Sequence, residues 1–136
     1  MRRALALTVC LLLLSVILVA AEPDVEWEMT TYQVAFLKRG PNWTPAETPE
    51  TKAIQEGHMD NIRKMGATGK LVIAGPFADG GDLRGMFIFR VATLEEAKAM
   101  AEQDPAVKAG RLVLEWHPWY AAKNIVVTPK AAGPPR

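Results

Sequence analysis

The hydrophobic positions of the chain alternate in some segments and recur every three or four residues in others. Strands are predicted where apolar residues alternate or form a short continuous run: residues 29–37, 70–74, 85–91 and 111–116. In the first of these segments Tyr32, Val34 and Phe36 fall on one side. The second and third segments flank a cluster of Gly, Pro and Asp, so together they predict a hairpin.

Two helices are predicted between these strands. Thr48 can cap the first helix, and Pro49 suits its first position. Thr93 and Glu96 form the capping box of the second helix, which Asp104 and Pro105 end. The first helix has an inward stripe that recurs at intervals of four, four and three residues: Ile54, His58, Ile62 and Met65.

The order strand, helix, strand, strand, helix, strand predicts the ferredoxin-like βαββαβ fold of the α+β class, a four-stranded antiparallel sheet with both helices on one face. The other sheet face would then lack a cover. Side chains of opposite parity, Val113 among them, leave that face apolar, and an apolar face of this size indicates a partner. We therefore expect a homodimer that pairs sheet against sheet.

An export leader is predicted at the amino terminus. Arg2 and Arg3 precede an uncharged run, residues 4–21, that ends in small residues. We therefore expect a signal peptide over residues 1–21, with cleavage before Glu22. The run is also just long enough for a membrane anchor, which is the alternative. In either case the domain lies outside the cytoplasm, in the periplasm or beyond the cell, and it meets a membrane only if the leader is retained.

The rest of the chain divides into a linker at 22–28, one domain at 29–124 and a tail at 125–136 that we expect to be disordered. Removing the two leader arginines from the 16 Lys and Arg leaves 14 basic residues against 15 Asp and Glu. This balance excludes a strongly basic protein that binds nucleic acid. The single cysteine, Cys10, lies in the leader, which excludes thiol chemistry and cysteine-based metal sites from the domain.

His58 is the first candidate for chemistry. Ile54 and Ile62 lie on the same helix face, so the imidazole points at the sheet, where it needs a hydrogen-bond partner. One interpretation is a core or rim histidine bonded to a backbone carbonyl, and the other is a general acid or base. Asp104 is the candidate partner, because it can orient the His58 ring and fix its tautomer. Asp104 can equally cap the short turn that Pro105 opens.

Three further residues are weaker candidates for binding a substrate: Pro76, Asp79 and Trp119. Asp79 is more simply a turn former, and tryptophans are more often core or interface residues. His117, at the end of the last predicted strand, is interpreted as a rim residue. With two histidines and no ligand spacing of the usual kind, we predict no metal site.

A series of short motifs falls in the order seen in YCII-related domain proteins: Gly57-His58, LVIAGPF at 71–77, Asp79-Gly80-Gly81, Leu94-Glu95-Glu96-Ala97, Asp104-Pro105-Ala106-Val107 and Pro118-Trp119. The chain resembles this family over nearly all of residues 29–124. The resemblance implies a dimeric ferredoxin-like α+β barrel with a site centred on His58 and Asp104, Asp79 being the alternative aspartate. It also implies small lyases or dehalogenating enzymes that act on cyclic hydroxylated compounds without a cofactor.

Two hypotheses for function follow. The first is a cofactor-free enzyme of the lyase or isomerase type, in which His58 moves a proton on a small molecule and Asp104 orients the ring. The second is a non-catalytic exported domain that uses the same cleft to hold a small ligand. Access to the His58 ring discriminates between them, because an imidazole sealed from solvent cannot act on a substrate.

Overall fold

The computed structural model describes residues 26–125, which form four strands and three helices. In chain order these are β1 (Met29–Arg39), α1 (Pro49–Ala67), β2 (Leu71–Pro76), β3 (Leu83–Phe89), α2 (Leu94–Ala101), α3 (Pro105–Lys108) and β4 (Leu112–Ala122). The predicted leader at 1–21 lies outside the described residues, as do residues 22–25 of the predicted linker and 126–136 of the predicted tail. Among the helices of the described part, none is both long enough and apolar enough to span a membrane.

The four strands form one antiparallel sheet in the order β2-β3-β1-β4. β2 and β3 are the predicted hairpin, and β1 lies between β3 and β4. This arrangement confirms the predicted ferredoxin-like α+β fold. The strand order matters for the site because it places β1 and β3 at the centre of the sheet, where α1 packs.

The amino terminus of α1 confirms the predicted cap. Thr48 Oγ1 accepts a hydrogen bond from the Thr51 backbone N–H at 3.1 Å, and Thr51 Oγ1 accepts one from the Thr48 N–H at 2.9 Å. Pro49 stands at the start of the helix, where its missing N–H costs nothing. This reciprocal box fixes where α1 begins and therefore which of its side chains face the sheet.

The predicted capping box of α2 forms only on the threonine side. Thr93 Oγ1 accepts from the Glu96 backbone N–H at 3.2 Å. The Glu96 carboxylate instead binds Lys70 Nζ at 2.7 Å, just before β2. An ion pair between α2 and the start of β2 thus replaces the hydrogen bond that the Glu96 side chain would make in a complete capping box.

β4 extends six residues beyond its predicted end at Trp116, through His117 and Pro118 to Ala122. Pro118 lies opposite Gln33 of β1 in a continuous antiparallel register. β4 is an edge strand, and an edge strand tolerates proline because one side of its backbone needs no ladder donor.

Two hydrophobic clusters lie on opposite faces of the sheet. The cluster on the helix side joins the sheet to α1 and α2: Ala35, Leu37, Met65, Leu71, Phe87, Phe89, Ala97 and Ala101. The cluster on the other face contains two β1 residues that were predicted to lie on the same side of the strand, together with residues of β3 and β4: Tyr32, Val34, Ile88 and Ala121. Both helices therefore cover one face, as predicted.

The face opposite the helices is less open than the sequence suggested. At its centre Tyr32 is 0% and Ile88 4% exposed, and Ile125 packs against this cluster. Exposed apolar side chains remain toward the β4 edge, where Val113 is 42% and Trp119 44% exposed. The expectation of a wholly uncovered face is wrong at the centre of the sheet, and the homodimer stays a prediction.

Candidate active site

His58 projects from α1 onto the central strands of the sheet. Its ring stacks on Phe87 of β3, with centroids 6.2 Å apart and planes inclined by 23°. The side chain is 12% exposed, so the ring is largely buried but still open to a small molecule. The orientation follows from the helical stripe, since residues spaced by three and four share one face.

Asp104 is the hydrogen-bond partner of His58. His58 Nδ1 lies 2.8 Å from Asp104 Oδ2, and the Asp104 side chain is fully buried. Asp104 is also the N-cap of α3, where its Oδ1 accepts from the Ala106 backbone N–H at 2.8 Å. The aspartate therefore has both functions that the sequence offered as alternatives.

Asn61 completes the environment of the carboxylate. Its Nδ2 donates to the same Oδ2 atom of Asp104 at 3.2 Å. Three N–H groups, from Asn61, Ala106 and His58, thus converge on one buried carboxylate, and such charge-assisted bonds are stronger than neutral ones. Sequence reasoning missed Asn61, although its position three residues after His58 places it on the same helix face.

The arrangement fixes the tautomer of the imidazole. An ionised carboxylate only accepts hydrogen bonds, so the bond to Asp104 requires the hydrogen on His58 Nδ1. In the neutral ring the lone pair is then on Nε2, the nitrogen that does not contact Asp104. Chemically, Nε2 can accept a proton and the resulting imidazolium can return it.

A cavity of about 520 Å³ lies beside His58 between α1 and the sheet, within the size range of small-molecule sites. Its apolar wall includes Leu37, Ile62 and Phe87. Part of its lining is formed by small residues of the hairpin, Gly75 and Gly85 among them. A Cβ at Gly85 would lie 2.7 Å from the Gly75 carbonyl oxygen, so close strand approach requires glycine there.

The loop after β1 closes the cavity on one side. Trp43 and Thr44 of this loop line the cavity. The loop is held by Asn42, whose N–H donates to the Gly110 carbonyl at 2.9 Å and whose Nδ2 donates to the Ala109 carbonyl at 3.0 Å. The wall is thus tied to the segment that follows α3, a long-range contact that the local sequence does not reveal.

The structure brings only one of the three weaker candidates into this cavity. Pro76 lines it. Asp79 is exposed in the β2–β3 turn, where its Oδ1 accepts from the Gly81 N–H at 3.0 Å, and it does not contact His58. Trp119 lies on the opposite sheet face beside Tyr32, with ring centroids 6.0 Å apart. Successive residues of a strand point to opposite faces of the sheet. Trp119 and Val113 are six residues apart in β4, so both side chains lie on the same face, away from the cavity.

His117 also lies on the face away from the cavity. Its ring meets Phe36 edge-on at 5.6 Å, and Nε2 lies 2.9 Å from Glu115 Oε1. Hydrogen bonds from His117 and from Lys38 lower the pKa of the Glu115 carboxyl. No group of three His, Cys, Asp or Glu that could hold a metal occurs within residues 26–125.

Comparisons with known proteins place the chain in a family. None of the curated proteins compared with it gives a significant match. Among solved structures it is similar to 5-chloro-2-hydroxyhydroquinone dehydrochlorinase from Burkholderia phenoliruptrix AC1100 in complex with 2,5-dihydroxybenzoquinone, with 18% identity and a TM-score of 0.48. That similarity covers 66% of this chain and 93% of the other. The model of the YCII-related domain matches residues 16–119, and the chain therefore belongs to the YCII-related domain family.

Proposed function

We propose that the cavity is the active site of a small-molecule enzyme of the lyase or isomerase type. In this proposal His58 is the general acid and base, and its substrate is a small cyclic compound with hydroxyl or carbonyl groups. The reaction class is the one that the family resemblance implies. The observation that carries the proposal is the pairing of a part-exposed imidazole with a fully buried carboxylate beside a cavity.

Asp104 supports this role as a positioning residue. It holds the proton on Nδ1, so that Nε2 is free to accept one, and its negative charge stabilises the imidazolium that forms. Asn61 and the Ala106 N–H hold the carboxylate itself in place. The ring therefore does not need to reorient during the reaction, which is the benefit of a preorganised site.

The proposed chemistry is a proton transfer at a carbon beside a carbonyl or on a hydroxylated ring. Nε2 takes the proton, and the electron pair of the C–H bond passes into an enolate. In an isomerisation the imidazolium returns the proton to another carbon. In an elimination the electron pair forms a double bond and the leaving group departs with its own pair. General acid–base catalysis of this kind contributes about 10²–10⁴-fold.

The test is proton exchange, which does not require the natural substrate. Cyclic ketones, lactones and dihydroxylated rings are incubated with the full chain in deuterium oxide, and loss of their acidic C–H signals is followed by NMR. We expect exchange that His58→Gln slows by about 10²-fold or more. His117→Gln is the matched control, because this second histidine lies on the other sheet face.

The alternative function predicts a different outcome. A domain that only holds a small ligand would bind members of the panel without any exchange that depends on His58. That result would overturn the enzyme proposal and favour the non-catalytic binding domain.

A further inference from the structure

The charged residues that line the cavity are mostly cationic. Among the described residues they are Lys52, Arg84, Arg111 and Glu47. Lys52 Nζ lies 3.6 Å from Glu47 Oε2, so these two charges offset one another at an exposed edge. The two arginines have no carboxylate within 4 Å in the described part of the chain.

Both guanidinium groups are held by neutral backbone carbonyls. Arg84 Nη1 donates to the Gly81 carbonyl at 3.2 Å, and Arg111 Nη2 donates to the Thr44 carbonyl at 3.0 Å. Each side chain is part-buried. A carbonyl fixes the position of a guanidinium without neutralising it, and a guanidinium has five N–H donors. Donors and charge therefore remain available to a ligand at this end of the cavity.

A third arginine adds to the positive potential there. The guanidinium carbon of Arg39 lies 4.0 Å from the centroid of the Trp43 ring, and that of Arg84 lies 5.9 Å from the same ring. Trp43 lines the cavity, so two like charges flank a part of its wall. Clustered cations beside low-dielectric walls concentrate the field and attract anions.

We propose that the substrate is a cyclic carboxylate whose carboxylate group is bound by Arg84 and Arg111. This inference deepens the proposed function and rests on it for the role of His58. The apolar body of such a compound fits the wall that includes Leu37 and Phe87. Arginine forks bind carboxylates with two parallel N–H···O bonds, which orients the ligand as well as holding it.

The positions of Arg84 and Phe87 along β3 suit a compound with one ring. Arg84 stands at a β-bulge, where β3 has one residue more than β1, so its side chain lines the cavity together with that of Phe87 although the two are three residues apart. Three residues correspond to a rise of at most roughly 10 Å along a strand. Phe87 lies under the His58 ring, so the anion-binding end and the proton acceptor are separated along the cavity. A carboxylate fixed at one end would present a ring carbon to Nε2 at the other, which is how positioning raises a rate.

The test compares a charged ligand with its neutral counterpart. Para-hydroxybenzoate and para-hydroxybenzamide have the same ring and differ in the carboxylate. Their dissociation constants with the full chain are measured by NMR titration. We expect the carboxylate to bind about tenfold or more tightly, as for a hydrogen-bonded charge pair. Equal affinities, or no binding of either compound, would overturn the inference.

Substitutions of the two arginines test whether their side chains cause the preference for the carboxylate. Arg84→Met and Arg111→Met should each weaken para-hydroxybenzoate about tenfold while leaving para-hydroxybenzamide unchanged. Arg84→Lys keeps the charge but loses the fork, so it should bind the carboxylate with intermediate affinity. The matched control is Arg63→Met, because Arg63 pairs with Asp60 on an exposed part of α1. A preference that survives in both methionine variants would contradict the proposal.

His58→Gln separates this inference from the proposed function. The variant should still prefer the carboxylate, since Arg84 and Arg111 are intact. If carboxylates bind selectively but never undergo exchange that depends on His58, the enzyme proposal fails and the anion site stands. If cyclic carboxylates undergo exchange that depends on His58 but that neither Arg84→Met nor Arg111→Met changes, the enzyme proposal stands and the anion site fails.

Discussion

Gly57 lies directly against Pro105. A Cβ built at Gly57 would stand 2.9 Å from Pro105 Cγ, closer than real side chains approach. Gly57 immediately precedes His58, and Pro105 immediately follows Asp104. The absence of a side chain at position 57 therefore sets the separation of α1 from α3 at the point where the hydrogen-bonded pair spans the two helices.

Gly57→Ala should push α1 away from α3 and lengthen the bond from His58 to Asp104. The proline ring cannot rotate aside as a flexible chain would, so we expect a loss of about 1–3 kcal/mol in the free energy of unfolding. The rate of proton exchange that depends on His58 should also fall, because the ring is then less well positioned. Urea unfolding and the exchange assay measure the two effects.

Gly66→Ala is the matched control in the same helix. No atom lies within 4 Å of a Cβ built at Gly66. Alanine within a helix is favoured over glycine by roughly 0.5–1 kcal/mol, so this variant should be neutral or more stable. Equal losses in the two alanine variants would show that the contact with Pro105 is not the cause.

Asp104→Asn should reverse the tautomer of His58. The asparagine oxygen can still accept from the Ala106 N–H, but its NH₂ group then stands where Oδ2 accepted from His58 and from Asn61, whose amide must turn its oxygen toward that group. An NH₂ group facing Nδ1 requires a lone pair on that nitrogen, so the hydrogen moves to Nε2. Nε2 then cannot accept a proton, and exchange should fall by about 10²-fold or more.

The ring ¹⁵N chemical shifts of His58 report the tautomer directly. Asn61→Ala is the control, because it removes a second donor to Asp104 but leaves the bond from His58 in place. It should keep the Nδ1–H tautomer and lose about 0.5–1.5 kcal/mol of stability. An unchanged tautomer in Asp104→Asn would contradict the assigned role of the carboxylate.

Local signals in the sequence predicted the elements, and long-range contacts decided the rest. The cap at Thr48 and the stripe through His58 lie within one helix, so periodicity identified them. Asp104 was readable as a cap for the same reason. The 2.8 Å between Asp104 and His58 depends on how α1 packs on α3, and no local pattern encodes that distance.

Errors arose where a residue's context was misjudged. The predicted end of the last strand at Trp116 was six residues too early, because the pairing of residues 117–122 with β1 is a long-range contact. Trp119 was a candidate for the cavity, and its parity in the extended β4 places it on the other face. The arginine-lined wall was missed because Arg84 and Arg111 come from separate strand ends. The export leader stays a prediction.

Glu96 should make stability depend on pH at the acid end. Its hydrogen bond from Lys70 lowers the pKa of the Glu96 carboxyl below the ordinary 4.5, against a smaller opposing effect of desolvation. A carboxyl whose pKa is lower in the folded chain contributes stability above the unfolded pKa and loses it as the pH falls through the folded value. Glu96→Gln should therefore lower the urea midpoint at about pH 7, and this difference should shrink as the pH falls through the folded pKa of Glu96.

Glu95→Gln is the control for this measurement. It makes the same chemical change one residue earlier in the same first turn of α2. Both glutamates interact favourably with the helix dipole, so the difference in stability between the two variants measures the contribution of the ion pair with Lys70. An equal pH dependence in both variants would assign the effect to the dipole alone.

The oligomeric state is open to direct measurement. We propose that two copies of the chain pair through the sheet face opposite the helices, near β4, where Val113 and Trp119 are exposed. Sedimentation velocity of the full chain should give the mass of a dimer, and Trp119→Glu should give a monomer. Trp27→Glu changes an exposed tryptophan outside the sheet and should leave the dimer intact. A monomeric wild-type chain would contradict the proposal.

Asp104 both caps α3 and binds the His58 ring. An aspartate at this position in another chain is therefore not by itself evidence of activity. A relative that had lost all activity would still gain from an aspartate here, because its side chain caps the start of α3. An Asp-Pro step at this point is therefore no sign of an active site. The informative pair is the histidine with the asparagine three residues later, because their bonds to the carboxylate are not needed to begin the helix.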